Sequence, residues 1–129
     1  MNPKDRVGAT KPPMSFLPCP VLLEVGTVAA LGASKYGGHN WRTLAIRASA
    51  YYDAAMRHLM QWWEGENNDS ESGASHIAHA ITGLMILRDA QMQGACLDDR
   101  PPSAPHGWME CATDRFREMQ DEASGSPSE

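Results

Sequence analysis

Apolar positions recur at helical spacing in four stretches of the chain, and each stretch is bounded by residues that start or stop helices. The first runs from about Val21 to Ser34, after Pro20, and its small residues (Gly26, Ala29, Ala30, Gly32, Ala33) let another helix approach closely. The second runs from Thr43, a suitable N-cap, to Glu64, with Gly65 at its end. Its apolar residues Ala48, Tyr52, Ala55, Leu59 and Trp62 alternate steps of four and three, which makes one stripe. The third runs from about Gly73 to Gln93, capped by Ser70 or Ser72 and stopped by Gly94. Its middle is apolar nearly all round, so it is expected to be the central, most buried helix. The fourth, from about Gly107 to Gln120, is expected to turn Trp108, Ala112, Phe116 and Met119 inward. No stretch shows the β-branched alternation of a strand.

These elements predict an all-α fold, a compact bundle of about four helices built on an antiparallel hairpin of the second and third. Prolines at 3, 12, 13, 18 and 20 make residues 1–20 an arm. Residues 21–97 form the helical body. Residues 98–129 comprise a linker broken by Pro101, Pro102 and Pro105, an acidic helix, and a flexible tail from Ser124 to Glu129.

Composition changes this picture in three places. The 129 residues carry a formal charge of −5, which argues against a protein that coats DNA or an anionic membrane. That excess lies in residues 98–129, where eight acids face three arginines, a segment expected mainly to solubilise. Three widely spaced cysteines, Cys19, Cys96 and Cys111, suggest buried reduced thiols rather than disulfides or a zinc site. With no signal peptide and no apolar run of membrane-spanning length, a cytoplasmic location is expected, the host cytoplasm if the chain is phage-encoded.

The hairpin decides which polar residues meet. With the turn centred near Asn68, His58 lies ten residues before it and His76 eight after, so the two come level. His76 and His79 are about 60° apart on one helix face. Three imidazoles at similar depth, with Glu66 and Asp69 at the turn, form a donor set suited to a divalent metal. His-x-x-His alone is a common accidental spacing, and the acid run from Glu64 to Glu71 alone reads as a solvated turn. The combination points further because the helix carrying both histidines is expected to be buried. Asp53, Arg57 and Glu64 share the opposite face of the second helix, as a solvated face or the wall of a cleft. Before that helix, Lys35, Tyr36, Asn40, Trp41 and Arg42 mix cations, aromatic faces and an amide around Gly37-Gly38. That mixture suits a nucleotide site, and equally an ordinary turn anchored by Trp41. Walker, GxGxxG, HExxH, GxSxG and Glu-x-x-His patterns are absent from the sequence.

The runs Gly32-Ala33-Ser34-Lys35-Tyr36, Asn40-Trp41, Tyr52-Asp53-Ala54-Ala55-Met56-Arg57-His58, Gly65-Glu66-Asn67-Asn68-Asp69-Ser70-Glu71-Ser72-Gly73 and His76-Ile77-Ala78-His79 occur in this order. In combination they resemble the phage dATP/dGTP diphosphohydrolase family over about residues 17–92. The resemblance implies hydrolysis of purine deoxynucleoside triphosphates to monophosphate and pyrophosphate, adjusting nucleotide pools in phage replication. It also implies kinship with the all-α nucleoside triphosphate pyrophosphatases, which are helical, oligomeric and magnesium-dependent. Here His76 and His79 stand where that group carries a second acidic pair, and imidazole favours manganese, iron, cobalt or zinc.

The resulting expectation is a divalent ion, magnesium or manganese first and iron, cobalt or zinc as alternatives, held by Glu66, Asp69, His76 and His79 with His58. Glu66, Asp69, Glu71 and Arg57 are the catalytic candidates, with Glu71 orienting the attacking water. Lys35, Arg42 and Arg57 would neutralise the triphosphate, while Tyr36, Asn40 and Trp41 contact the base. A homo-oligomer, dimer or tetramer, is expected because so apolar a third helix in so short a chain needs covering. The rivals are a helical protein that binds metal or nucleotide without turnover, and a helical oligomerisation module.

Overall fold

The computed structural model describes residues 1–125. Its elements are α1 (Pro3–Gly8), a 3₁₀ turn (Met14–Phe16), α2 (Cys19–Tyr36), a second 3₁₀ turn (Asn40–Arg42), β1 (Ile46–Arg47), α3 (Ala48–Trp63), α4 (His76–Met92), β2 (Cys96–Leu97) and α5 (Trp108–Ala123). The all-α expectation holds, with α3 and α4 as the antiparallel hairpin. No helix among the described residues is long and apolar enough to cross a membrane.

The packed part is a single layer in which α2 and α3 both lie against α4 and scarcely touch each other. Sequence explains why α4 takes the middle. His76, Ala80, Gly83 and Ala90 fall on one side of it, and Ala78 and Thr82 on the other. All but Gly83 are buried, so α4 is closed on both sides by small residues. Ser75 starts α4, its Oγ accepting from the Ala78 N–H at 3.2 Å, while Gly94 at φ 71° ends the segment. The helix therefore begins at His76, not near Gly73, and neither Ser70 nor Ser72 is its cap. Residues 70–75 stay out because they complete a folded loop described below.

Four further expectations are corrected. Thr43 does not cap α3, which begins five residues later, after the two-residue strand Ile46–Arg47 has paired in parallel with Cys96–Leu97. The start of α3 is served from far along the chain: the Ser49 N–H donates to Asp99 Oδ1 at 2.8 Å, Ser49 Oγ donates to Asp99 Oδ2, and Arg47 lies 3.8 Å away. Asp99 thus belongs to the structure of the body, not to a purely solubilising segment. In α5, Trp108, Phe116 and Met119 are not turned inward; each is more than half exposed, and no residue of the helix is buried. Among the described residues no other element packs extensively against its amphipathic stripe. The cysteines are free, but Cys19 and Cys111 are exposed and Cys96 is half-buried.

The arm carries α1, capped by Asn2 accepting from the Lys4 N–H, and buries nothing. The tail expected from Ser124 onward lies, past residue 125, outside the described residues.

Asp89 ties the second 3₁₀ turn to α4. Trp41 Nε1 donates to its Oδ2 at 2.6 Å, and Arg42 donates through Nε and Nη2 to its two oxygens at 2.9 Å each. The Arg42 bonds and then the Trp41 bond hold the Asp89 carboxyl at about 2, well below its ordinary value. A depressed carboxyl contributes its stability fully above the unfolded value of about 4 and loses it as pH falls toward the folded value. The melting temperature should therefore fall more steeply between about pH 4 and pH 2 in the wild type than in Asp89→Asn. Parallel slopes in the two melting series would show that the link carries no stability.

Candidate metal centre

The site is built where α3 ends and α4 begins. Between them, residues 64–75 fold back on themselves. Asp69 N–H donates to the Ala74 carbonyl at 2.8 Å, Gly73 N–H to the Asp69 carbonyl at 2.7 Å, and His76 N–H to the Asn67 carbonyl at 3.0 Å. Asn68 and Ser75 form a bridge within the same loop. The Asp69 side chain is fixed as well, its Oδ1 accepting from the Glu71 N–H at 2.8 Å. That backbone bond is the main cause holding the Asp69 carboxyl below its ordinary range, so it is ionised at neutral pH.

His76 is 0% exposed and is the largest fully buried side chain of the described residues. Its Nδ1 lies 2.9 Å from His58 Nδ1, across the hairpin. On its other side, His76 Nε2 meets Glu66 Oε1 at 2.6 Å. His58 also stacks on His79, with ring centroids 4.6 Å apart and planes within 3°. His79 Nε2 in turn lies 2.7 Å from Ser72 Oγ and 4.0 Å from Asp69 Oδ2. Burial first, then the neighbouring His79 and His76, push the His58 imidazole below its ordinary range, with Asp69 pulling the other way. His58 is thus neutral near pH 7, the form in which imidazole binds a metal.

His58, Asp69 and His76 each offer a donor atom, and these atoms all lie within 4.8 Å of one another. The set fits a divalent ion. Two ligands held about 2.1 Å from one centre at a right angle lie about 3 Å apart, the spacing of the two Nδ1 atoms. Two imidazoles with one carboxylate are also a donor set typical of divalent transition metals.

The other sequence candidates divide by position. Lys35, near the end of α2, reaches the rim, with Nζ 3.7 Å from Glu71 Oε1. Arg57 is exposed beside His58, and its charge acts on that ring. Tyr36 is exposed. Asn40, Trp41 and Arg42 lie in the turn bound to Asp89, which is thirteen residues, or about 20 Å of helix, along α4 from His76. Asp53, Arg57 and Glu64 are exposed and form no ion pairs with one another among the described residues. Ser72 and Asp89 were missed as functional partners. Ser72 stands in the sequence only as a possible helix cap and as one position of the run from Gly65 to Gly73, and nothing in the sequence links Asp89 to a turn 47 residues away.

Fold and site together define a small all-α chain whose helix hairpin gathers histidines and carboxylates at one end. The chain belongs to a known family: the sequence profile described as dATP/dGTP diphosphohydrolase, N-terminal, matches residues 1–100, from α1 through β2. It is also similar to the dATP/dGTP diphosphohydrolase of Salmonella phage PMBT28, with 35% identity over 98 residues. The match covers 76% of this chain and 31% of the phage protein, so the chain spans about a third of that relative's length. No solved structure matches it.

Proposed function

We propose that the chain hydrolyses purine deoxynucleoside triphosphates, dGTP and dATP, to the monophosphate and pyrophosphate, using a divalent metal, and that it adjusts nucleotide pools during phage replication in the host cytoplasm. The observation that carries this reading is the convergence of His58 and Asp69 on the buried His76 at the turn end of the hairpin. Family membership and the name of the phage relative support the substrate.

His58, Asp69 and His76 would hold the ion, with His79 and Glu66 packed beside them. When bound, such an ion supplies charge screening for phosphate oxygens and makes water more acidic. The chain's own groups do the rest. Lys35 and Arg57 lie on the rim, where they meet triphosphate charge and neutralise it as pyrophosphate leaves. Glu71, exposed and carried on the loop that Asp69 fixes, orients the water and takes its proton. The new bond joins water oxygen to the α-phosphorus, and the bond from that phosphorus to the bridging oxygen breaks. Tyr36 presents an exposed aromatic face for the base. Trp41 and Arg42 serve base and phosphate only if the substrate draws them from Asp89.

The test is direct: the purified chain with dGTP or dATP and manganese or magnesium should release pyrophosphate. Absence of turnover with every common divalent ion would sink the reading. Thermal stabilisation by nucleotide without product would instead support a binding protein.

The active form is a homo-oligomer. The chain exposes 10464 Å², whereas a compact monomer of 14.1 kDa exposes about 6,700 Å². One layer of helices leaves two open faces, and Leu59, Met60, Trp62 and Trp63 line an apolar depression on one of them. Light scattering on the eluting protein should give at least twice the monomer mass at micromolar concentration; a monomer mass would refute it.

A further inference from the structure

We infer that Glu66 is the carboxylate behind the cluster, not one of its ligands. It holds His76 in the tautomer that turns the Nδ1 lone pair toward His58 and Asp69, so the site takes a divalent transition ion in preference to magnesium. The inference rests on the functional reading above only in taking the cluster as a metal site.

A carboxylate oxygen only accepts, so the 2.6 Å contact between Glu66 Oε1 and His76 Nε2 places the hydrogen on Nε2. His76 is fully buried, which leaves its ring no water to exchange partners with. Glu66 is 46% exposed, so it reaches the buried ring from the surface and keeps its own hydration. With Nε2 carrying the one hydrogen of the neutral ring, His76 Nδ1 is an acceptor. The 2.9 Å contact with His58 Nδ1 is then a hydrogen bond donated by His58 when no ion is present. An ion requires that hydrogen to leave. It can move to His58 Nε2, which converts one neutral tautomer of the ring into the other with no net proton change. Two Nδ1 lone pairs and Asp69 then converge. Imidazole nitrogens suit zinc and iron, whereas magnesium prefers carboxylates and retained water. Carboxylates that receive the second N–H of a ligating histidine are a general device for fixing its orientation.

The experiment is nitrogen NMR on the full chain labelled at histidine nitrogens, first metal-free and then with added zinc chloride or magnesium chloride. In the metal-free wild type, His76 should carry its hydrogen on Nε2. Zinc should shift Nδ1 of both His58 and His76 and move the His58 hydrogen, and equal magnesium should do neither. Glu66→Ala should weaken zinc binding on the order of 10–100-fold, and Glu66→Gln, whose amide oxygen still accepts, should fall between it and the wild type. A hydrogen on His76 Nδ1 in the metal-free wild type overturns the inference. So does undiminished zinc binding by Glu66→Ala, or magnesium binding as tight as zinc. Should Glu66→Ala fail to fold, the wild-type spectrum decides alone. If the tautomer and zinc results stand and no ion supports pyrophosphate release, the functional reading falls and this one remains.

Discussion

Replacing His76 with alanine should cut pyrophosphate release and metal affinity together by about a hundredfold or more, while the helical spectrum of the protein survives. Three partners converge on this one ring: His58 on Nδ1, Glu66 on Nε2, and Asp69 within donor reach. A partner standing behind a ligating histidine is already worth about 10–100-fold in metal affinity or activity. The histidine itself should therefore cost on the order of a hundredfold or more. Folding should persist because Glu66, the group left without its partner, is half-exposed and regains water. His79→Ala should act more weakly when tested singly, since His79 stacks on His58 and bonds Ser72 at the edge of the cluster. Combined with His76→Ala it should leave no measurable turnover. Steady-state pyrophosphate release, with metal content measured on the same samples, checks both. Turnover by His76→Ala within a few-fold of the wild type would remove the cluster from the chemistry.

The second large effect is expected from Ala80→Leu. Ala80 is buried on α4, one turn beyond His76 and on the same face, toward α3. Gly83, further along that face, has Tyr51 of α3 within 4.0 Å of where a Cβ would stand. Small residues there set how closely the two helices approach. Adding three carbons at position 80 should cost about 1–3 kcal/mol through overpacking and push α3 outward. That displacement would separate His58 from His76, so zinc affinity should fall even in molecules that remain folded. Chemical denaturation and zinc titration measure the two effects. The half-exposed Met85 supplies the control, because Met85→Leu should change stability by no more than about 0.5 kcal/mol. Unchanged zinc affinity in Ala80→Leu would show that the spacing of the helices does not govern the site.

What the sequence disclosed follows the range of its signals. Helical periodicity found α2 to α5, and counting outward from Asn68 brought His58 level with His76, because a hairpin makes sequence symmetry into spatial proximity. The same counting could not assign roles within the cluster. Whether Glu66 faces the shared centre or the back of His76 depends on how residues 64–75 fold, and that is decided by backbone bonds such as Asp69 to Ala74. Thr43 has good capping chemistry, yet pairing of Ile46 with Cys96 draws the preceding residues out of α3. A two-residue strand leaves no periodicity to read. The inward face assigned to α5 failed for a different reason. Amphipathicity shows that a stripe needs a partner without saying that the partner lies in the same chain, and Phe116 stays 60% exposed among the described residues.

The short pairing of Ile46–Arg47 with Cys96–Leu97 has a consequence for the histidines at the other end of the hairpin. It clamps the beginning of α3 to the exit from α4, so the rotational phase of each helix is set from that end. His58 lies twelve residues from Ile46, and His76 twenty from Cys96. One residue added within either helix would turn its histidine by about 100° relative to the clamp. Length changes at the exposed Asn67 or Ser70, outside both helices, leave that phase alone. Related sequences should therefore keep constant the number of residues between the clamp and each ring, and the loop is held separately by the backbone bonds that place Asp69.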